Sequence, residues 1–265
     1  MKFPRFAAAA LLFAATLCPS IHAAEALPIR VILVGDSTMA TRTGYGDAFC
    51  ARFKPEVSCI NLARGGRSSG SFRAEGRWDE VQRLLQDGAG FGATYVLVQF
   101  GHNDQPGKPG RSTDFVTEFP ANMARYARET KALGGVPVLV TPLSRRTFHG
   151  PWLHNDLAPW ADATRKMAAR EHAVLLDLNA DSHAAVQSMG QAEADTLAMA
   201  PPPAAGVPAA PQDPNKVEPQ GAAKSAFDRT HVGAKGADLF ATMVEREMAQ
   251  AIPVTRAWFK DGGKP

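Results

Sequence analysis

Gly35-Asp36-Ser37-Thr38 stands near the start of the chain and Asp228-Arg229-Thr230-His231 near its end. Between them lie Gly65-Gly66-Arg67-Ser68 and Gly101-His102-Asn103-Asp104. Together these islands hold what serine-based ester hydrolysis requires. Ser37 is the candidate nucleophile, His231 its base and Asp228 the carboxylate that orients the base. The Asp-x-x-His spacing lets a carboxylate fold back onto one imidazole nitrogen and leaves the other for the serine. Three donors are expected to meet the oxyanion: the Ser37 amide, the Gly66 amide and the Asn103 side chain.

Each island also has a plain structural reading. Gly-Asp-Ser after a strand is a common turn, Asp-x-x-His caps helices, Gly-Gly makes tight turns and asparagine favours them. Their joint occurrence in this order is what selects the catalytic reading. The chain has no G-x-S-x-G, so a nucleophile elbow is not expected. His102, Asp104 and His231 fit no standard zinc spacing, so a metal site is not expected. Arg67, Trp152 and His154 are candidate sugar contacts, although Arg67, Arg73 and Arg77 could equally form internal ion pairs and the tryptophans could pack helices. Among all these candidates, a missing triad member would have favoured a non-catalytic polysaccharide-binding protein.

The elements that must position these residues alternate in type. Five short apolar runs read as buried parallel strands: 30–34, 57–62, 95–100, 136–141 and 173–178. Helical patterns are expected over 75–86, 119–133, 152–170 and 233–250. Alternation of this kind implies a doubly wound α/β sheet with helices on both faces, whose sites gather at the carboxyl ends of the strands. Ser37, Gly66 and Asn103 each follow such a run by a few residues and should converge on one edge. From about 189 to 226 the chain is rich in Pro and Ala, including Pro201-Pro202-Pro203, and is expected to be a loop, either a surface insertion or a rim over the site.

Residues 1–24 read as a signal peptide: Lys2 and Arg5, an apolar run from Phe6 to Leu17, then Ile21-His22-Ala23-Ala24. The run is short of the ~20 residues a spanning helix needs. Cys18 follows Leu17, where lipoprotein processing wants a small residue, so no membrane anchor is expected. A secreted or periplasmic chain whose residues 25–265 form one domain follows from this. The formal net charge of +3 over 265 residues, two bases of which lie in the leader, argues against nucleic acid as a partner. Export permits a disulfide between Cys50 and Cys59, and two free thiols fit the sequence as well.

The islands and their surroundings resemble the SGNH (GDSL-type) hydrolase superfamily and, within it, the rhamnogalacturonan acetylesterase family. The strings that carry the likeness are GDSTMA (35–40), GRSSGSFRAEGR (66–77), QFGHNDQ (99–105), TPLSRR (141–146) and DRTH (228–231). The resemblance implies a three-layer α/β/α, flavodoxin-like fold with a five-stranded parallel sheet. It also implies removal of acetyl groups from acetylated plant cell-wall polysaccharide, without a cofactor. A lipase-like or thioester-cleaving member of the superfamily is the alternative substrate reading. The Pro/Ala-rich stretch before Asp228 departs from the family pattern.

Overall fold

In the computed structural model, which describes residues 27–202 and 226–263, β1 (Ile29–Gly35) is the middle of three strands that start the sheet. Its partners are β2 (Val57–Asn61) and β3 (Ala93–Gln99), followed outward by β4 (Val136–Val140) and β7 (Val174–Leu176). All four pairings are parallel and the order is β2-β1-β3-β4-β7. The short antiparallel hairpin β5 (Phe148–His149) and β6 (Trp152–Leu153) stands apart from this sheet.

Both faces of the sheet are covered, which is why its strands read as unbroken apolar runs. Along β1, Val31 and Leu33 enter one core while Ile32 and Val34 enter the other. The first core is closed by α1 (Gly46–Cys50), α6 (Leu178–Asp195) and α7 (Ala234–Ala251), through Phe49, Val186, Phe240, Val244 and Met248. The second is closed by α3 (Arg77–Gln86), α4 (Glu118–Ala132) and α5 (Ala158–Arg170), through Trp78, Val81, Met123, Tyr126 and Trp160. One further short helix, α2 (Ser71–Ala74), follows the Gly65-Gly66 loop.

Two expectations change. The segment 152–170 is not one helix: Trp152 and Leu153 pair with His149 and Phe148 across a turn at Gly150 (φ 61°), and α5 starts only at Ala158 with Pro159 in its first turn. The loop expected from residue 189 starts later, because α6 resumes after a break at Gly190 (φ 73°, ψ 170°) and runs to Asp195. Ala198 then bridges Val232, next to the Asp228–His231 island. The expected leader and most of the Pro-rich stretch lie outside the described residues. Cys50 and Cys59 are joined, with Cα atoms 5.4 Å apart, so α1 is fastened to the edge strand β2.

Candidate active site

Ser37 sits two residues beyond the end of β1, nearly buried but with 8% of its surface open. Its Oγ lies 2.8 Å from His231 Nε2, and His231 Nδ1 lies 2.8 Å from Asp228 Oδ2. A carboxylate only accepts, so Nδ1 carries the hydrogen and Nε2 is left to take the serine proton. Asp228 Oδ1 accepts the backbone amides of Thr230 (2.8 Å) and His231 (2.6 Å), which folds 228–231 into a tight turn. Burial alone would raise the Asp228 carboxyl. The His231 hydrogen bond and charge, with the two amides, outweigh it and bring the group down to about 2. Asp228 is therefore an anion at every pH at which the protein would work.

The neighbouring strand ends supply donors. Gly66, past β2, has φ 77°, a conformation that L side chains rarely adopt. Asn103, past β3, donates from Nδ2 to the Arg67 carbonyl at 3.0 Å, tying the two loops together and leaving its second amide hydrogen available. Asp104 strengthens the same junction. It accepts Ser69 Oγ (2.6 Å), the Ser69 amide (3.1 Å) and Thr113 Oγ1 (2.9 Å). Burial is the largest influence on Asp104 and carries it up to about 6 despite these bonds.

Beneath Ser37 runs a buried chain of side chains. Tyr45 OH donates to Gln99 Oε1 (2.7 Å), Gln99 Nε2 to Thr38 Oγ1 (2.7 Å) and Thr38 Oγ1 to Asp36 Oδ1 (2.8 Å). The Thr38 amide also reaches Asp36 (2.9 Å), and Thr43 Oγ1 holds the Ser37 carbonyl (2.7 Å). Asp36 Oδ2 faces His102 Nδ1 at 3.3 Å, with both side chains out of water. Burial would raise the Asp36 carboxyl, yet His102 and the two Thr38 donors hold it below its ordinary value. The turn carrying the nucleophile is thus fixed by interactions on its inner side.

Arg146 does the same for the base. Its side chain is fully buried, and Nη2 donates to the carbonyls of His231 (2.7 Å) and Asp228 (3.2 Å) while Nη1 reaches that of Thr230 (3.4 Å). Burial lowers its guanidinium to about 10, so it remains a cation. Sequence reasoning assigned Arg146 no role. Its sole signal was membership of the TPLSRR string, because nothing in a sequence marks an arginine as buried.

The candidate sugar contacts fare unevenly. Arg67 is held by Glu75 (3.0 Å) and by the Gly65 carbonyl (2.8 Å), so its guanidinium braces the oxyanion loop rather than standing ready for a ligand. Arg77 joins the same Glu75, and Arg73 pairs with Glu129. Trp152 is 70% exposed at the tip of the β5–β6 hairpin, and His154 stacks on His149 with ring centroids 4.8 Å apart. Among the described residues, no hydrogen bond or ring contact joins either to Ser37, Asp228 or His231. The hairpin connects to the triad through Asp156, which pairs with Arg145, whose Nε donates to Thr230 Oγ1 at 3.2 Å. An open groove of about 620 Å³ is lined by Ser71, Glu75, Arg111, Thr117 and Asn122 among others. Among the described residues, no His, Cys, Asp or Glu side chains gather as a metal site, and no helix is long and apolar enough to cross a membrane.

Residues 33–239 match the model of the GDSL-like lipase/acylhydrolase family. The rhamnogalacturonan acetylesterase RhgT of Bacillus subtilis is 33% identical over 178 residues, 64% of this chain and 73% of that protein. The probable rhamnogalacturonan acetylesterase YesY of the same organism is 26% identical over 240 residues, 88% of this chain and 98% of that one. Among solved structures, the Bacillus subtilis protein YxiM superposes with a TM-score of 0.63 at 22% identity over 85% of this chain. That likeness concerns the fold, and this chain spans 57% of the YxiM chain.

Proposed function

The chain belongs to the GDSL-like lipase/acylhydrolase family and is a serine esterase, and from that premise we propose that it is a carbohydrate O-acetylesterase acting on rhamnogalacturonan-type pectic polysaccharide. The observation that carries the chemistry is the unbroken relay from Ser37 through His231 to Asp228, with both contacts at 2.8 Å. His231 takes the Ser37 proton as Oγ attacks the acetyl carbonyl. The Ser37 and Gly66 amides and the free Asn103 hydrogen meet the oxyanion. His231 then protonates the departing sugar hydroxyl, and water, activated by the same histidine, releases acetate from Ser37. The carbohydrate assignment draws on the two acetylesterase relatives, and the open groove lined by Arg111, whose Nη1 reaches Asn103 Oδ1, is where we place the sugar chain. The leader-like residues 1–24 support export, to the periplasm or beyond.

Acetate release from acetylated rhamnogalacturonan, homogalacturonan, xylan and mannan, beside p-nitrophenyl esters of increasing acyl length, tests the proposal. The expected order places rhamnogalacturonan first and long acyl chains last. Preference for long acyl esters would replace it with the lipase reading.

A further inference from the structure

Asn103 lies in a turn that is tied to its neighbours on two sides. The Asp104 amide donates to the Gly101 carbonyl at 3.2 Å, so His102 and Asn103 are the two central residues of a closed turn past β3. Asn103 reaches the Arg67 carbonyl (3.0 Å) and Asp104 accepts Ser69 Oγ (2.6 Å), which fastens this turn to the Gly66 loop. Towards the nucleophile the tie is His102. Its ring is buried, and Nδ1 lies 3.3 Å from Asp36 Oδ2. Asp36 in turn brackets Ser37, because its Oδ1 accepts the amide (2.9 Å) and the hydroxyl (2.8 Å) of Thr38, the residue on the far side. One buried contact thus joins the residue before the nucleophile to the residue before the oxyanion side chain.

Asp36 Oδ2 and both imidazole nitrogens are shut off from water, and among the described residues none of the three has another polar partner. A buried carboxylate oxygen left without a donor is costly, so Oδ2 depends on the His102 ring. Burial is the largest influence on His102 and, with Arg145, holds its imidazole below the ordinary value against the pull of Asp36. A neutral ring facing a carboxylate carries its hydrogen on Nδ1. In a two-residue turn centre, any shift of His102 passes directly to Asn103. We propose that His102 is a positioning residue: through Asp36 it sets the separation of the Ser37 amide and the Asn103 side chain, oxyanion donors that stand on different strand ends. It acts on these donors and not on the substrate. The inference rests on the oxyanion assignment of Asn103, and its test checks that assignment by itself.

The test measures kcat and KM on p-nitrophenyl acetate, per folded enzyme, beside a melting curve for each variant. His102→Leu removes the donor and should lower kcat about ten- to a hundredfold with KM little changed, short of the loss of a whole oxyanion donor. His102→Asn places an amide hydrogen at the position of Nδ1 and should restore kcat to within about threefold of wild type. His102→Gln, whose amide lies one carbon further out, should not. Because His102 acts through the placing of Asn103, the double variant His102→Leu/Asn103→Ala should turn over about as slowly as Asn103→Ala alone. If His102→Leu does not fold, His102→Gln takes its place in this cycle. A His102→Leu enzyme within about threefold of wild type, equal rates for the Asn and Gln variants, or losses that multiply in the double variant would overturn the inference and leave Asn103 in its role. A normal rate in Asn103→Ala alone removes the oxyanion assignment, whatever His102 does.

Discussion

Arg146→Met tests whether the base is held from behind. The substitution keeps an apolar stem in a site with no exposed surface and removes the three side-chain bonds to the 228–231 turn, leaving the Arg146 amide bonded to the Arg229 carbonyl. Two of those bonds have good lengths, and each charge-assisted bond contributes about 1.5–3 kcal/mol net. Relief of the buried charge offsets part of this, so the expected loss of stability is about 2–4 kcal/mol. For a domain of this size that corresponds to a fall in Tm of roughly 5–15 °C. The catalytic cost is separate. Without the guanidinium, the carbonyls of Asp228, Thr230 and His231 must find water, and His231 loses its register with Ser37. A displacement of about 1 Å at a reacting group lowers turnover about a hundredfold. Small-ester kcat should therefore fall by that factor with KM little changed, and Arg146→Lys should lie between the two, because an ammonium cannot reproduce the planar fork. The assay is steady-state kinetics on p-nitrophenyl acetate beside a melting curve for each variant. If Arg146→Met melts close to wild type and turns over within about threefold of it, the brace is not what holds the base.

Two other perturbations follow from the same geometry. Asn103→Ala removes an oxyanion donor and the tie to the Arg67 carbonyl, so kcat should drop about 100- to 1000-fold with KM nearly constant; a folded variant with near-normal turnover would take Asn103 out of the oxyanion site. Glu247 on α7 is buried beside Asp181 and Asp177, with Arg246 opposing and Tyr45 nearby, and burial first, then Asp181, raise its carboxyl to about 9. Above its ordinary value near 4.5 the unfolded chain releases this proton while the fold keeps it, so the fold loses stability as pH rises from there towards 9. Glu247→Gln should leave stability unchanged near pH 4 and raise it by about 1–3 kcal/mol near pH 8; equal gains at both pH values in thermal melts would dismiss this account.

The sheet was legible in the sequence because strands covered on both faces carry continuous apolar runs, and β1 to β4 and β7 lie within a few residues of them. Convergence of Ser37, Gly66 and Asn103 followed from their places just past three neighbouring strands. What escaped was information that arises only on folding. The buried face of α6 is made of Leu178, Asn179, Ser182 and Val186, too small and polar to stand out as a helical stripe. The β5–β6 hairpin rests on two residue pairs and a left-handed Gly150, so Trp152 looked like the start of the helix that follows. Arginines were the hardest to read. Six near the site divide into braces (Arg67, Arg146), ion pairs of the fold (Arg73, Arg77) and cations tied to site residues (Arg111 to Asn103, Arg145 to Asp156 and Thr230), a sorting set largely by partners distant in sequence.

The central claim is that Ser37 carries the acetyl group between sugar and water. Acid quenching of enzyme mixed with acetylated rhamnogalacturonan in the first turnover, followed by peptide mass spectrometry, reads this directly. The account predicts one acetyl group on the peptide containing Ser37, absent in Ser37→Ala, which should also release no acetate. Acetyl on another residue, or a Ser37→Ala enzyme that still deacetylates the polymer, would contradict it.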